Sequence, residues 1–120
     1  MYKLVILFLQ PLVGATFEQG WQKFLGMAEK MPGLCKEAVG DIDELVFGAQ
    51  SLSYKKIHEL YFDSREALEE ALASEAGQNA GQWLHSFTQG RFALMIAKHM
   101  EATPDEFKKN TKTGTPPSSQ

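Results

Sequence analysis

The sequence predicts an α+β fold with its elements in the order β-α-β-β-α-β, the split arrangement of the ferredoxin-like motif. Three stretches carry that reading. Tyr2–Leu9 is a nearly continuous β-favouring run, as expected of a strand covered on both faces. Residues 56–62 alternate, with Ile57, Glu59 and Tyr61 on one side and His58, Leu60 and Phe62 on the other, and from Arg65 the period changes to that of a helix. Residues 91–100 alternate again, with Phe92, Leu94 and Ile96 on one face and Ala93, Met95, Ala97 and His99 on the other.

Between these stretches the signals are local. Residues 10–15, with Pro11 and Gly14, read as a loop, and Thr16 followed by Gln19 reads as a capping box that starts the first helix. Phe17, Trp21, Phe24, Leu25 and Ala28 form one aromatic-rich stripe, and Pro32-Gly33 stops the helix after Met31. Residues 34–39 suit an edge strand on which Lys36 and Glu37 discourage stray pairing. Residues 40–54 read as a loop with a short turn or strand near 45–47. Asp63 or Ser64 caps the next helix, whose apolar stripe is Leu68, Ala71 and Leu72. Gly77 interrupts the helical pattern, and a second helix over 79–88 carries Ala80, Trp83, Leu84 and Phe87 inward, with Gly90 as its C-terminal cap. From Thr103 the composition turns to Lys, Thr, Pro and Ser, too poor in apolar residues to order itself. The expected organisation is one domain over 1–102 and a disordered tail over 103–120.

Composition narrows the function classes. With 12 basic and 15 acidic residues the 120-residue chain carries −3, and with no basic block before the tail a nucleic-acid partner is not expected. The single Cys35 forms no internal disulfide and has no zinc-site partners, so it reads as a free buried thiol in a reducing, cytoplasmic setting. The apolar start runs for about six residues, a strand rather than a signal peptide, and nothing approaches the ~20 residues of a membrane helix. No Gly-rich phosphate loop follows a strand, so neither a nucleotide nor a flavin is indicated and no cofactor is expected.

The combination of YKLVILF at the start, KMPGL after the first helix, KIHELYFDSREALEEALAS in the middle and FTQGRFALMIAKHME near the end resembles the EthD family of dimeric α/β-barrel proteins. The resemblance covers about residues 1–101. It implies a four-stranded antiparallel sheet with two helices on one face, and a homodimer in which the other face packs on a second subunit. A sheet covered on one side only leaves the Glu59/Tyr61 face needing such cover. It further implies a small apolar or aromatic metabolite as ligand and a cofactor-independent oxidoreductase or monooxygenase-type activity. The alternatives are a non-catalytic ligand-binding or accessory dimer, and a cyclase, isomerase or dehydratase of the same fold. The family's first helix carries a histidine eight residues before the proline of PGL; here that position, counted from Pro32, is Phe24. Chemistry resting on that histidine is therefore missing, which favours the binding or assembly role.

Proton transfer in this chain would most simply use His58, His99 or Glu59. Histidine titrates near neutrality, and a desolvated carboxylate becomes a base near pH 7. His58 and Glu59 point to opposite faces of one strand and form no dyad, whereas His99 and Glu59 share a face if their strands share a sheet. The competing reading of Glu59 is an ion pair with Lys3, Lys98 or the second subunit. Tyr61, Trp83, Trp21 and Phe24 are the substrate-binding candidates, the aromatics either walling a cleft or packing the core. Glu66, Glu69 and Glu70 have no histidine beside them and read as a solvated helix face, so no metal site is expected.

Overall fold

The computed structural model describes residues 1–10, 14–49 and 53–112. The elements are β1 (Tyr2–Leu9), α1 (Gly14–Ala28), β2 (Lys36–Asp41), β3 (Tyr54–Phe62), α2 (Arg65–Ala73), α3 (Glu75–Thr88), β4 (Phe92–Lys98) and α4 (Pro104–Lys112). The four strands form one antiparallel sheet in the order β2-β3-β1-β4. This is the ferredoxin-like arrangement, with the second helical stretch divided into α2 and α3.

Register fixes which residues share a face. Leu4 lies opposite Leu60 and Ile96, and Ile6 opposite His58 and Leu94, so the odd and even positions of β1 face opposite sides. The even side carries the core: Leu4, Ile6, Phe8, Leu60 and Phe62 are buried against Phe17 and Phe24 of α1, Leu68 of α2 and Leu84 of α3. Phe8 meets Phe17 edge-on at 5.2 Å. Each fully enclosed phenylalanine contributes about 1.5–3 kcal/mol through removal from water. The odd side presents Lys3, Val5, Leu7, Ile57, Glu59, Tyr61, Ala93, Met95 and Ala97 away from these helices.

Several boundaries depart from the sequence pattern. α1 begins at Gly14, so Thr16 sits inside its first turn and is not the cap; residues 11–13 of the expected loop lie outside the described residues. Its last turn tightens, with Lys30 N–H donating to Met27 O and Met31 N–H to Ala28 O before Pro32. β2 lies two residues further on than 34–39, because its pairing to β3 sets Lys36 opposite Tyr61 and Asp41 opposite Lys56. Cys35 therefore precedes the strand, and its thiol is exposed rather than buried, donating to Asp63 Oδ1 at 3.4 Å. The turn or strand expected near 45–47 is irregular chain, with Val46 and Phe47 almost fully exposed.

The break between α2 and α3 falls at Ser74, not Gly77. Ser74 ends α2, and its Oγ accepts from Gly77 N–H at 3.0 Å to start α3. α2 itself starts as expected, with Ser64 Oγ accepting from Ala67 N–H at 3.0 Å. At the other end of α3 both Gln89 (φ 55°) and Gly90 (φ 77°) are left-handed, and Gly90 N–H reaches back to His85 O. Residues 104–112 form a helix where unstructured chain is expected from 103. Thr103 and Glu106 make a reciprocal capping box, Glu106 N–H to Thr103 Oγ1 at 3.3 Å and Thr103 N–H to Glu106 Oε1 at 2.8 Å, with Pro104 at the first helical position. Residues 113–120 lie outside the described residues.

Candidate functional site

The candidate residues separate into two clusters on opposite faces of the sheet, with Trp83 apart from both. On the odd face, Glu59 and Tyr61 project from β3 beside Lys3 of β1, and His99 follows β4. Lys3 Nζ donates to Glu59 Oε2 at 2.8 Å and Tyr61 Oη donates to Glu59 Oε1 at 2.9 Å. With both oxygens occupied by donors, the Lys3 hydrogen bond above all holds the Glu59 carboxyl below its ordinary pKa. Glu59 is thus an ion-paired acceptor, as the Lys3 alternative predicts, and the raised pKa that a base near pH 7 needs is not what its surroundings produce. Burial, and then the Glu59 carboxylate, raise the Tyr61 phenol, so its proton stays with the pair.

His99 stacks edge-on against Tyr61 at 4.7 Å and its Nε2 lies 2.6 Å from Glu101 Oε2. Glu101 also meets Lys36 Nζ at 3.6 Å, and its carboxyl is held below its usual range mainly by the His99 hydrogen bond. Lys36 in turn lies 4.8 Å over the Tyr61 ring. Six side chains from three strands and the segment after β4 form one continuous polar network.

On the helix face, His58 is fully buried. Trp21 Nε1–H donates to its Nδ1 at 3.3 Å, and its Nε2 lies 2.8 Å from Glu37 Oε1. Indole is a donor only, so the imidazole is the neutral tautomer with its proton on Nε2, directed at Glu37. Burial, and then the Lys56 ammonium, lower its pKa to about 4. Both ring nitrogens are engaged, which leaves His58 no lone pair for a substrate. Lys56 is itself buried, 3.9 Å over the Trp21 ring and 2.7 Å from Asp41 Oδ1. Phe24 sets its edge against His58 at 5.8 Å. Trp21 and Phe24 are thus packed against the sheet, while Trp83 is half-buried between α1 and α3 with Nε1–H donating to Gly20 O at 2.9 Å.

A small apolar cavity lies between α3 and the sheet, walled by Leu4, Phe24, Leu60, Leu72, Ala80 and Leu84, and it reaches Leu94 on β4. Among the described residues no cluster of His, Cys, Asp and Glu is arranged to hold a metal, and no helix is long and apolar enough to cross a membrane. Glu66, Glu69 and Glu70 are exposed, with Glu69 paired to Arg65 at 3.0 Å. The site residues that the pattern missed are Glu37, read only as an edge-strand charge, and Glu101. Glu37 is reachable only once β2 is known to pair further along, and Glu101 lies beyond the last alternating residue. The His99-Met-Glu101 spacing, which puts both side chains on one side of extended chain, is the signal that could have found it.

No family model matches the chain. A curated 11.0 kDa protein from the thcB-thcC intergenic region of Rhodococcus erythropolis is 26% identical over 105 residues, covering 87% of this chain and all of that one. Among solved structures, an EthD family protein of Bacillus halodurans C-125 superposes with a TM-score of 0.75 at 27% identity, covering 83% of this chain and 99% of that one. SnoaB of Streptomyces nogalater, a cofactor-independent oxygenase, matches with a TM-score of 0.62 at 14% identity over 86% of this chain and 96% of its own. A dimeric ferredoxin-like protein of Jannaschia sp. CCS1 matches with a TM-score of 0.58 at 18% identity over 82% of this chain and the whole of its own. The last two are likenesses of fold. The Bacillus protein joins a superposition over 83% of this chain to 27% sequence identity, and the chain is accordingly similar to an EthD family protein, with a ferredoxin-like fold.

Proposed function

We propose that the protein is a homodimer that holds a small apolar or aromatic compound between α3 and the sheet. The observation that carries the reading is the cavity itself. It encloses about 40 Å³, its walls among the described residues are apolar side chains and two glycines, and at its mouth Leu94 is 47% exposed. An apolar cavity that takes up benzene measures ~150 Å³, so binding turns Leu94 outward and widens the space beneath α3. Recognition then rests on shape and apolar area. Dimerisation is supported by the likeness to the dimeric Jannaschia protein and by the uncovered apolar residues on the odd face, Leu7 and above all Met95. The test is a fluorescence titration with N-phenyl-1-naphthylamine, a neutral apolar probe. Saturable binding that Leu94→Ala tightens and Leu84→Trp abolishes supports the cavity; binding indifferent to both substitutions rejects it.

A second reading, proton-transfer catalysis of the kind a cofactor-independent oxygenase needs, is favoured by His99. Its Nε2 is backed by Glu101, and its Nδ1 makes no hydrogen bond among the described residues. In this reading Nδ1 takes a proton from a substrate carbon or hydroxyl on the odd face, and Glu101 stabilises the imidazolium. His99→Gln should then abolish conversion of a co-purified ligand, followed by mass spectrometry, with fold and dimer intact. Conversion that survives the substitution removes His99 as the base.

A further inference from the structure

We propose that the groove between α1 and α3 is a second binding site, for a small aromatic anion such as an arylcarboxylate. The groove has a volume of about 500 Å³ and shares no lining residue with the cavity under α3. That size falls within the range of small-molecule sites, ~300–1,000 Å³.

Its aromatic wall follows from one glycine. A methyl group at Gly20 would lie 2.4 Å from Phe87 Cδ2, so the glycine lets the Phe87 ring rest on the α1 backbone. Trp83 lies alongside it at 5.7 Å with 25° between the planes, and its hydrogen bond to Gly20 O fixes the indole in that position. The wall is therefore preorganised, which lowers the ordering cost of binding a flat ring.

The charge in the groove has one sign. Lys23 holds its ammonium 4.1 Å over the Trp83 ring and has no carboxylate partner among the described residues. The other polar lining residues, Thr16, Gln19, Ser86 and Gln89, are neutral hydrogen-bonding groups. A protein with a formal charge of −3 thus presents a cation and several donors beside an aromatic wall, with no acidic residue lining the groove. A carboxylate meets Lys23 and these donors while its ring lies along Phe87. A neutral ring gains the wall alone.

The probes are 2-naphthoate and its neutral amide, 2-naphthamide, titrated into the full chain and followed by ¹H–¹⁵N NMR. Expected are saturable shifts of the Trp83 indole N–H and the Lys23 and Ser86 amides with naphthoate. Lys23→Gln should weaken naphthoate at least tenfold and leave naphthamide within twofold. Ser86→Trp, which fills the groove, should remove naphthoate binding while N-phenyl-1-naphthylamine still binds under α3. Equal affinity for acid and amide, shifts centred on Gly81 and Leu94, or no saturable shift would each overturn the proposal. Because the two sites share no residue, either can fail alone.

Discussion

His58 illustrates how much of this chain's polar chemistry is structural. It accepts from Trp21, faces Glu37 and sits near Lys56 and Glu29, fully enclosed by the first helix and the sheet. Its folded pKa of about 4 lies below the ordinary 6.5, so the unfolded chain takes up the proton first as pH falls. The stability that neutral His58 confers is complete above the unfolded value and is lost as pH falls from 6.5 toward 4, by at most about 3 kcal/mol. Urea midpoints across that window should fall steeply in the native protein and much less in His58→Gln, which keeps an acceptor and a donor but does not titrate. Equal slopes would show that other groups set the acid limb. Legibility at this scale followed strand alternation. That Glu59 and Tyr61 share a face, and that His58 does not, was readable from a period of two; that His99 joins them followed only if the two strands share a sheet. Whether Glu59 is a raised base or an ion-paired carboxylate stayed open in the sequence between Lys3, Lys98 and a second subunit, because only the register of β1 on β3 brings Lys3, 56 residues away, to its carboxylate.

The helices show a division between what a local signal fixes and what packing decides. The cap of α2 was legible to within one residue, Asp63 or Ser64, because a cap needs nothing beyond the helix's own first turn, and the structure assigns it to Ser64. The α2–α3 break was misplaced because Gly77 looks like a helix breaker, whereas its role is clearance. A Cβ there would lie 2.1 Å from Ala71 O and 2.8 Å from Leu72 O, both backbone atoms that cannot step aside. Gly81, one turn later, meets nothing within 4 Å. Gly77→Ala should therefore destabilise by about 2–3 kcal/mol, and Gly81→Ala should stabilise by about 0.5–1 kcal/mol through helix propensity. Chemical denaturation of both variants checks the pair; a Gly77→Ala protein as stable as the native would mean that α2 and α3 separate at no cost. The same contrast explains α4, where the low apolar content of 103–120 hid a Thr-Pro-Asp-Glu start signal that needs only its own side chains.

At the scale of the whole molecule, the sheet has one face closed by helices and one that carries apolar side chains around a polar network. Val5 and Tyr61 on that face are already covered by their neighbours, but Met95 is 45% exposed and no described helix packs over it. The proposed homodimer closes this face, and a specific interface of that kind covers roughly 800 Å² on each partner. Met95→Glu separates folding from association. In the monomer the new carboxylate faces water and costs little, whereas a dimer sealed through this face would bury two unpaired charges related by its two-fold axis. Sedimentation velocity should find the dimer weakened at least a hundredfold, with the far-ultraviolet circular dichroism unchanged. A Met95→Glu protein that stays dimeric with native affinity would place the interface elsewhere, on a strand edge or at the exposed Val46-Phe47 loop. Glu101, 64% exposed, would then stay open to solvent beside His99, and the proton-transfer reading would lose the enclosed site it requires.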